Sequence, residues 1–156
     1  MTPARAHGRL VRASGVDLCV ETFGDPSSPA LLLIAGAASS LDSWEDELCR
    51  RLAAGPRFVI RYDHRDTGES TTYEPGEPAY SGADLVTDVV ALLDALGVGR
   101  AHLVGMSMGG GIAQDVALTH PERVASLALF STSAAVPRPA GAPELPPPAE
   151  SLRARF

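Results

Sequence analysis

One stretch in the second half of the chain joins an apolar strand, a glycine–serine–glycine pentapeptide and an amphipathic helix without a linker. The strand HLVG enters the pentapeptide Gly105-Met106-Ser107-Met108-Gly109, and the helix GGGIAQDVAL leaves it. A sharp strand-to-helix turn brings the residues two before and two after its tip close together, so both must be nearly free of side chain. Gly105 and Gly109 meet this requirement. The pattern therefore predicts a strained turn that exposes the Ser107 hydroxyl above a sheet, near the positive end of a helix.

Strand and helix patterns alternate along most of the chain. Two short strands, 8–12 and 16–22, are predicted to pair through Gly15. Continuous apolar runs then predict buried strands, and apolar residues at helical spacing predict helices between them. The predicted strands are 30–35, 58–62, 101–105 and 124–131. The first predicted helix contains Trp44, Leu48 and Leu52, the second contains Leu85, Val89, Leu92, Leu93 and Leu96, and the third spans residues 109–120. This order predicts an α/β fold with a mostly parallel sheet.

The same glycines also fit a phosphate-binding turn. Gly105, Gly109 and Gly111 match the G-x-x-x-G-x-G spacing of short-chain dehydrogenases, which likewise lies between a strand and a helix. That turn normally follows the first strand of its domain, whereas several strands precede it here. All 13 basic residues are Arg, so the chain lacks the catalytic lysine of those dehydrogenases and the lysine of a P-loop. Nucleotide binding is therefore the weaker interpretation.

Composition limits the other function classes. A chain of 156 residues with 45% hydrophobic and 21% charged residues fits one ordinary globular domain. The net charge is −6, and the sequence contains no basic stripe that could bind nucleic-acid phosphates.

The longest apolar run is too short to cross a bilayer and no secretion signal is present, so we expect a cytoplasmic protein without a membrane partner. Cys19 and Cys49 form neither a disulfide framework nor a metal quartet, and we expect two buried, reduced thiols.

A serine nucleophile needs N–H groups that hold the negative charge formed on the substrate oxygen. The residue after the nucleophile, Met108, is predicted to supply one backbone N–H of this oxyanion hole. A second N–H is expected from the loop after strand 30–35, where the sequence Ala35-Gly36-Ala37-Ala38 is small enough for backbone amides to face a ligand. Ala37 is the predicted second donor. A simple tight turn remains the alternative for this loop.

Four segments together resemble the α/β-hydrolase superfamily, namely LLLIAGAASSLDSW, RYDHRDTGEST, VGMSMGGGIAQDVAL and HPERVASLAL. The pairing of RYDHRDTG with GMSMGG is most similar to serine esterases of the aclacinomycin methylesterase type, over about residues 10–150. The resemblance implies a mostly parallel sheet of eight strands, a cap inserted after the sixth strand, and a Ser–Asp–His triad in that chain order. It also implies hydrolysis of a small-molecule ester without a cofactor or a metal. Perhydrolase and haloperoxidase chemistry stay open.

Two departures from the family pattern bear on activity. Ala35-Gly36 stands where many members have His-Gly, which removes a common supporting side chain. The acid and the histidine of the family normally follow the cap, and residues 136–156, rich in proline, resemble the entry to a cap. We therefore expect residues 1–135 to form the N-terminal part of the core, residues 136–156 to be poorly ordered, and this fragment to be inactive without the triad Asp and His. The alternative is a non-catalytic hydrolase-fold protein that binds a small molecule or a partner.

The histidines of the chain offer no evident replacement for the missing base. His64 alone lies on a loop at the carboxyl edge of the predicted sheet, and the matching family loop is structural. His102 lies in the strand that enters the turn, and His120 lies at the far end of the following helix. We expect none of them to activate Ser107.

The last predicted strand, 124–131, has an apolar sequence without a charge. In the family it would pair with a seventh strand. An open apolar edge is a template for pairing with other chains. We therefore expect the isolated chain to be marginally stable and to associate with itself through this edge.

Overall fold

The computed structural model of the chain describes residues 8–76, 78–135 and 141. Two short strands, β1 (Arg9–Ala13) and β2 (Val16–Phe23), precede an alternating series of strands and helices. This series runs β3 (Ala30–Ile34), α1 (Asp46–Ala53), β4 (Phe58–Tyr62), α2 (Gly82–Ala95), β5 (Ala101–Met106), α3 (Met108–Thr119) and β6 (Val124–Phe130). Each predicted strand and helix is present, with small shifts in its bounds. The predicted cap entry, residues 136–156, lies outside the described residues apart from position 141.

The strands form one mixed sheet in the order β1-β2-β4-β3-β5-β6. β1 pairs antiparallel with β2, and β2 pairs antiparallel with β4. The four strands β4, β3, β5 and β6 run parallel to one another. Because parallel strands point the same way, the loops that follow these four strands leave from one edge of the sheet. The predicted mostly parallel α/β architecture is confirmed, and this edge carries the candidate site.

Helices cover both faces of this sheet. Alternate residues of a strand point to opposite sides, so Leu32 and Ile34 of β3 join one apolar cluster while Leu33 joins another. α2 and α3 bury the first cluster, through Leu85, Val89, Leu92, Leu93, Ile112, Ala113 and Val116. α1 contributes Cys49 to the second cluster. Within the described part of the chain, no helix combines the length and the apolar character needed to cross a membrane.

The first helix departs from its predicted pattern. The spacing of Trp44, Leu48 and Leu52 predicts one helical face, but Trp44 lies before α1 begins. Leu48 is 41% exposed, whereas Cys49 is fully buried and faces the sheet. The carbonyl group of Trp44 accepts a hydrogen bond from the buried guanidinium of Arg61 in β4. This long-range polar contact ties the segment before α1 to β4.

A buried ion pair ties the loop after β4 to α2. The guanidinium of Arg65 donates to both carboxylate oxygens of Asp88, at 2.7 Å each, and the two side chains are only 7% and 2% exposed. The hydroxyl of Ser14, in the turn between β1 and β2, donates to Asp88 and accepts from Arg65 at 3.1 Å. The ring of Tyr80 lies 5.6 Å from the same guanidinium. The pair thus joins the hairpin turn, the loop and the helix.

The last strand is largely uncovered. β6 pairs with β5 on one side and, within the residues described, has no strand on its other side. Leu127, Leu129 and Phe130 are 38%, 41% and 53% exposed. The open apolar edge expected from the sequence is therefore present. Self-association through this edge stays a prediction.

Asp88→Asn should lower the free energy of unfolding by about 3–5 kcal/mol, because it leaves the buried Arg65 without a counter-charge. Glu47→Gln is the matched control, since Glu47 pairs with Arg51 at 2.8 Å on the exposed surface of α1. An exposed pair of this kind is worth less than about 1 kcal/mol. Urea unfolding followed by circular dichroism measures both variants. Equal losses would contradict the importance assigned to the buried pair.

Candidate active site

Ser107 occupies the joint between β5 and α3. β5 ends at Met106 and α3 begins at Met108, so the serine alone makes the turn. Its backbone has φ 52° and ψ −119°, a conformation that is costly for an L-residue and persists only where the surrounding structure enforces it. The residue is exposed, and its N–H donates to the carbonyl of Phe130 at the end of β6, at 2.9 Å. The structure thus places Ser107 on a strained, accessible turn.

The two glycines of the pentapeptide lie where no side chain fits. A Cβ on Gly105 would overlap the carbonyl group of Gly109. A Cβ on Gly109 would overlap the carbonyl oxygens of Ile34 and Ala35 at the end of β3. In both cases the obstacle is backbone, which cannot move aside without opening the turn. The sharp turn is therefore closed by contacts between backbones alone.

The loop after β3 lies against the serine. A Cβ on Gly36 would be 3.5 Å from the Cβ of Ser107, so the backbone of this loop passes directly beside the serine. The next residue, Ala37, is exposed, and Ala38 has a left-handed conformation with φ 54°. Met108 opens α3 on the other side, where the first N–H groups of a helix have no intrahelical acceptor. Both predicted oxyanion donors, Met108 and Ala37, thus lie near Ser107, and their role stays a prediction.

Ser107 opens into a cleft of about 610 Å³. The cleft is walled by the start of α2, one side of α3 and the segment after β6, through Gly82, Leu85, Met108, Gly111, Ile112, Asp115 and residues 131–135. A smaller cavity of about 240 Å³ shares Leu85 and Met108 with the cleft, and it adds Ala38, His64, Arg65, Asp66, Thr67 and Tyr80. The two spaces are neighbours with mixed polar and apolar walls, which suits a small-molecule ligand.

The sequence patterns do not reveal how the segment after β6 is held in place. The side chain of Gln114, on α3, donates to the carbonyl of Ser133 at 2.9 Å and accepts from the N–H of Ala135 at 3.0 Å. Thr132 packs so closely on Gly110 that a Cβ there would come within 2.6 Å of its side chain. Gly110, the residue directly after the pentapeptide, is the one sequence signal that could have found this contact.

His64 lines the smaller cavity but is already engaged. Its Nε2 lies 3.1 Å from the carbonyl oxygen of Ala35, and because a carbonyl only accepts, this nitrogen carries the proton. Burial lowers the pKa of His64, and the hydrogen bond to Ala35 and the charges of Asp88 and Asp63 partly oppose this shift. The ε nitrogen is therefore occupied by a structural bond and is not free to take a proton from Ser107.

The other histidines that the structure describes have partners elsewhere. Nδ1 of His102 lies 2.8 Å from the hydroxyl of Ser126, across the β5–β6 pair. Nδ1 of His120 lies 2.9 Å from the hydroxyl of Thr119, at the end of α3 remote from Ser107. His7 lies outside the described residues. None of these hydrogen bonds involves Ser107, and the absence of an activating histidine stays a prediction.

The two cysteines, Cys19 and Cys49, are buried and unpaired. Burial, reinforced by the negative charge of Asp63, raises the pKa of Cys19 to about 12, which keeps this thiol protonated and unreactive. Burial also raises the pKa of Cys49. Neither thiol is therefore a candidate nucleophile. Across the described stretches of the chain, no three His, Cys, Asp or Glu residues cluster as a metal site would require.

Gly105→Ala should lower the free energy of unfolding by about 3 kcal/mol or prevent folding, because its methyl group would overlap backbone at the turn. Gly111→Ala is the matched control in α3, where a Cβ meets nothing within 4 Å. This variant should be more stable by up to about 1 kcal/mol, since alanine is the better helix former. Urea unfolding of both variants measures the difference. A similar change in the two would contradict the tight contact described at Gly105.

The burial of neutral His64 predicts a loss of stability in mild acid. Its pKa in the folded chain lies below the ordinary 6.5, so the unfolded chain binds the proton first as the pH falls. The contribution of His64 to the free energy of unfolding should be complete above about pH 7 and decline as the pH falls from about 6.5 towards the folded pKa. His64→Gln keeps an N–H donor without titrating, so it should remove this decline. Identical pH profiles of urea unfolding for the two proteins would contradict the prediction.

Comparison with known proteins places these features in a family. The family model for the alpha/beta hydrolase fold matches residues 29–154. Rhodomycin D methylesterase DauP from Streptomyces sp. (strain C5) is 49% identical over 122 residues, which are 78% of this chain and 41% of that protein. The putative carbamate hydrolase RutD from Variovorax paradoxus (strain S110) is 42% identical over 71% of this chain and 41% of its own length.

A solved structure gives the same result. The crystal structure of a hydrolase from Pseudomonas aeruginosa PA01 has a TM-score of 0.72 and 37% identity, and the match covers 84% of this chain and 48% of that one. The chain therefore spans less than half the length of each of these three proteins. The family match runs from the start of β3 through the turn at Ser107 and beyond β6. The chain belongs to the α/β-hydrolase family.

Proposed function

We propose that this chain supplies the nucleophile of a serine hydrolase that transfers the acyl group of a carboxylic ester to water. The observation that carries the proposal is the position of Ser107, exposed and with φ 52° between β5 and α3. Residues held in costly backbone conformations cluster at functional sites, where the surrounding structure enforces them. The names of the methylesterase and hydrolase relatives support the same class of reaction.

The reaction begins when the Ser107 hydroxyl attacks the ester carbonyl carbon and its proton passes to a general base. The carbonyl oxygen becomes negatively charged, and the N–H groups of Met108 and Ala37 hold it. The tetrahedral intermediate then breaks its bond to the alcohol, which leaves with the proton from the base. Water attacks the acyl-serine by the same route, releases the acid and restores Ser107.

The fold supports this reaction by orienting the donors in advance. Met108 opens α3, so the positive end of the helix dipole lies beside the developing oxyanion. The backbone of Gly36 passes beside Ser107, which keeps the following N–H of Ala37 close. Donors placed in this way need no reorganisation during the reaction, and the loss of one typically lowers kcat about 10²–10³-fold.

Among the described residues, no histidine is hydrogen-bonded to Ser107 as a general base would be. The ε nitrogen of His64 donates to Ala35, and His102 and His120 bond elsewhere. We propose that activity needs a histidine and a carboxylate that the described residues do not supply. We also propose that residues 1–135 form the N-terminal part of the core and that residues 136–156 form the entry to the cap. In subtilisin, loss of the histidine alone lowers kcat about 10⁶-fold. The 156 residues alone should therefore turn over esters very slowly.

A carboxylic methyl ester with a bulky acyl part is the proposed substrate class. The relative that is 49% identical is named a rhodomycin D methylesterase. The cleft of about 610 Å³ at Ser107 has room for an acyl group much larger than a methyl group. The neighbouring cavity of about 240 Å³ includes Ala38 of the oxyanion loop and is large enough for a small alcohol.

Covalent capture tests the nucleophile. An alkyl fluorophosphonate, with imidazole added as an exogenous base, should modify the purified chain at Ser107, as mapped by peptide mass spectrometry. Ser107→Ala should abolish the adduct, whereas Ser133→Ala, which alters another serine of the same cleft, should not. An adduct that persists in Ser107→Ala, or that maps to a different serine, would refute the assignment.

Ester turnover tests the need for a further base. Without imidazole, the chain should hydrolyse p-nitrophenyl acetate no faster than its Ser107→Ala variant, because no described histidine activates the serine. Rapid turnover that Ser107→Ala abolishes would support the nucleophile and refute the proposed dependence on a further histidine.

A further inference from the structure

His64 joins the loop after β4 to the end of β3. Its Nε2–H donates to the carbonyl of Ala35 at 3.1 Å, and the residue is only 2% exposed. The backbone carbonyl of His64 accepts from Thr67, from the N–H at 3.2 Å and from the hydroxyl at 2.9 Å. The ring meets the ring of Tyr62 edge-on, with centroids 4.9 Å apart. The imidazole is thus held in one orientation, with its N–H directed at Ala35.

Ala35 directly precedes the loop that carries the proposed second oxyanion donor. Its carbonyl belongs to the peptide group shared with Gly36, and the next peptide group carries the N–H of Ala37. Only the two backbone torsions of Gly36 separate these groups, and glycine restricts such torsions less than any other residue. Fixing the Ala35 carbonyl therefore removes one of the freedoms by which the Ala37 N–H would turn away from Ser107.

The same carbonyl also faces the turn at the nucleophile. A Cβ on Gly109 would overlap the carbonyl oxygens of both Ile34 and Ala35, so the backbones are already in contact there. Ala35 is therefore held between a backbone contact from α3 and a buried hydrogen bond from the loop after β4. These two contacts fix the position of the oxyanion loop relative to Ser107.

We propose that His64 is a positioning residue, whose hydrogen bond from Nε2 to the Ala35 carbonyl sets the direction of the Ala37 N–H. That this N–H binds an oxyanion rests on the proposed function. That the hydrogen bond from His64 keeps the loop rigid does not rest on it. In this scheme His64 neither touches the substrate nor accepts a proton. It acts only through the backbone from Ala35 to Ala37.

Two substitutions at His64 separate the hydrogen bond from the bulk of the side chain. Glutamine places its amide nitrogen near the position of Nε2, and asparagine places it near that of Nδ1, so His64→Gln still reaches Ala35 and His64→Asn does not. In ¹⁵N relaxation of the whole chain, the amide order parameter of Ala37 should be about 0.85 in the unchanged protein and in His64→Gln, and below about 0.6 in His64→Asn. The amide of Leu18, in β2, should stay rigid in all three. Equal values for Ala37 in the two variants would overturn the proposal.

The unchanged chain provides a test that needs no substitution. ¹⁵N spectra of the imidazole should show a neutral ring with its proton on Nε2, and this proton should exchange slowly because the residue is buried. A proton on Nδ1 instead, with a bare Nε2 facing Ala35, would overturn the proposal, whether or not His64→Asn folds.

Labelling by the fluorophosphonate distinguishes a failure of this inference from a failure of the proposed function. His64→Asn should be labelled at Ser107 about 10²-fold more slowly than the unchanged chain, and His64→Gln at nearly the unchanged rate. Equal labelling of both variants at Ser107, with Ala37 ordered in both, overturns only the role of His64. A different result would be that Ala37 loses order in His64→Asn while Ser107 is labelled in no form of the protein. This result overturns the proposed function, and with it any effect of His64 on oxyanion binding.

Discussion

Backbone packed directly on backbone is the constraint on which the rest of the site depends. Gly105 lies against Gly109, and Gly109 lies against the carbonyl groups of Ile34 and Ala35, so β5, α3 and the end of β3 meet without side chains between them. This contact leaves Ser107 as the only residue that can turn the chain, which accounts for its positive φ. It also brings the loop after β3 beside the serine. The strained backbone of Ser107, its exposure and the position of the neighbouring loop amides thus have one physical cause.

A polar segment holds the surroundings of this contact in place. Residues 61–65 are buried throughout, although three of the five are charged. Each charge has partners on another segment. Arg61 pairs with Glu21 and Asp46, and Arg65 pairs with Asp88. The carboxylate of Asp63 accepts from the backbone N–H of Leu41 at 2.6 Å and from that of Glu69 at 2.9 Å. Buried charges that lost their partners would be costly. The segment therefore requires the neighbouring loops and α2 to adopt one arrangement at the edge of the sheet.

The features that could be predicted from the sequence are those that depend on local pattern. Apolar runs and helical spacing predict the strands and α2, and the flanking glycines predict the turn at Ser107. The features that could not be predicted depend on contacts between distant segments. Asp88 interrupts the apolar face of α2, and only the structure shows that Arg65, 23 residues earlier, neutralises it. Likewise, no local pattern reports that the guanidinium of Arg61 donates to the carbonyl of Trp44, before the first helix.

The most direct test of the account is a crystal structure of the chain with a phosphonate bound covalently to Ser107. The adduct carries a tetrahedral centre and an oxygen that stand in for the intermediate of ester hydrolysis. The account predicts that this oxygen lies about 2.7–3.1 Å from the backbone nitrogens of both Met108 and Ala37, with Ser107 still at positive φ. An adduct oxygen that points away from both amides, or a serine with relaxed backbone angles, would contradict it.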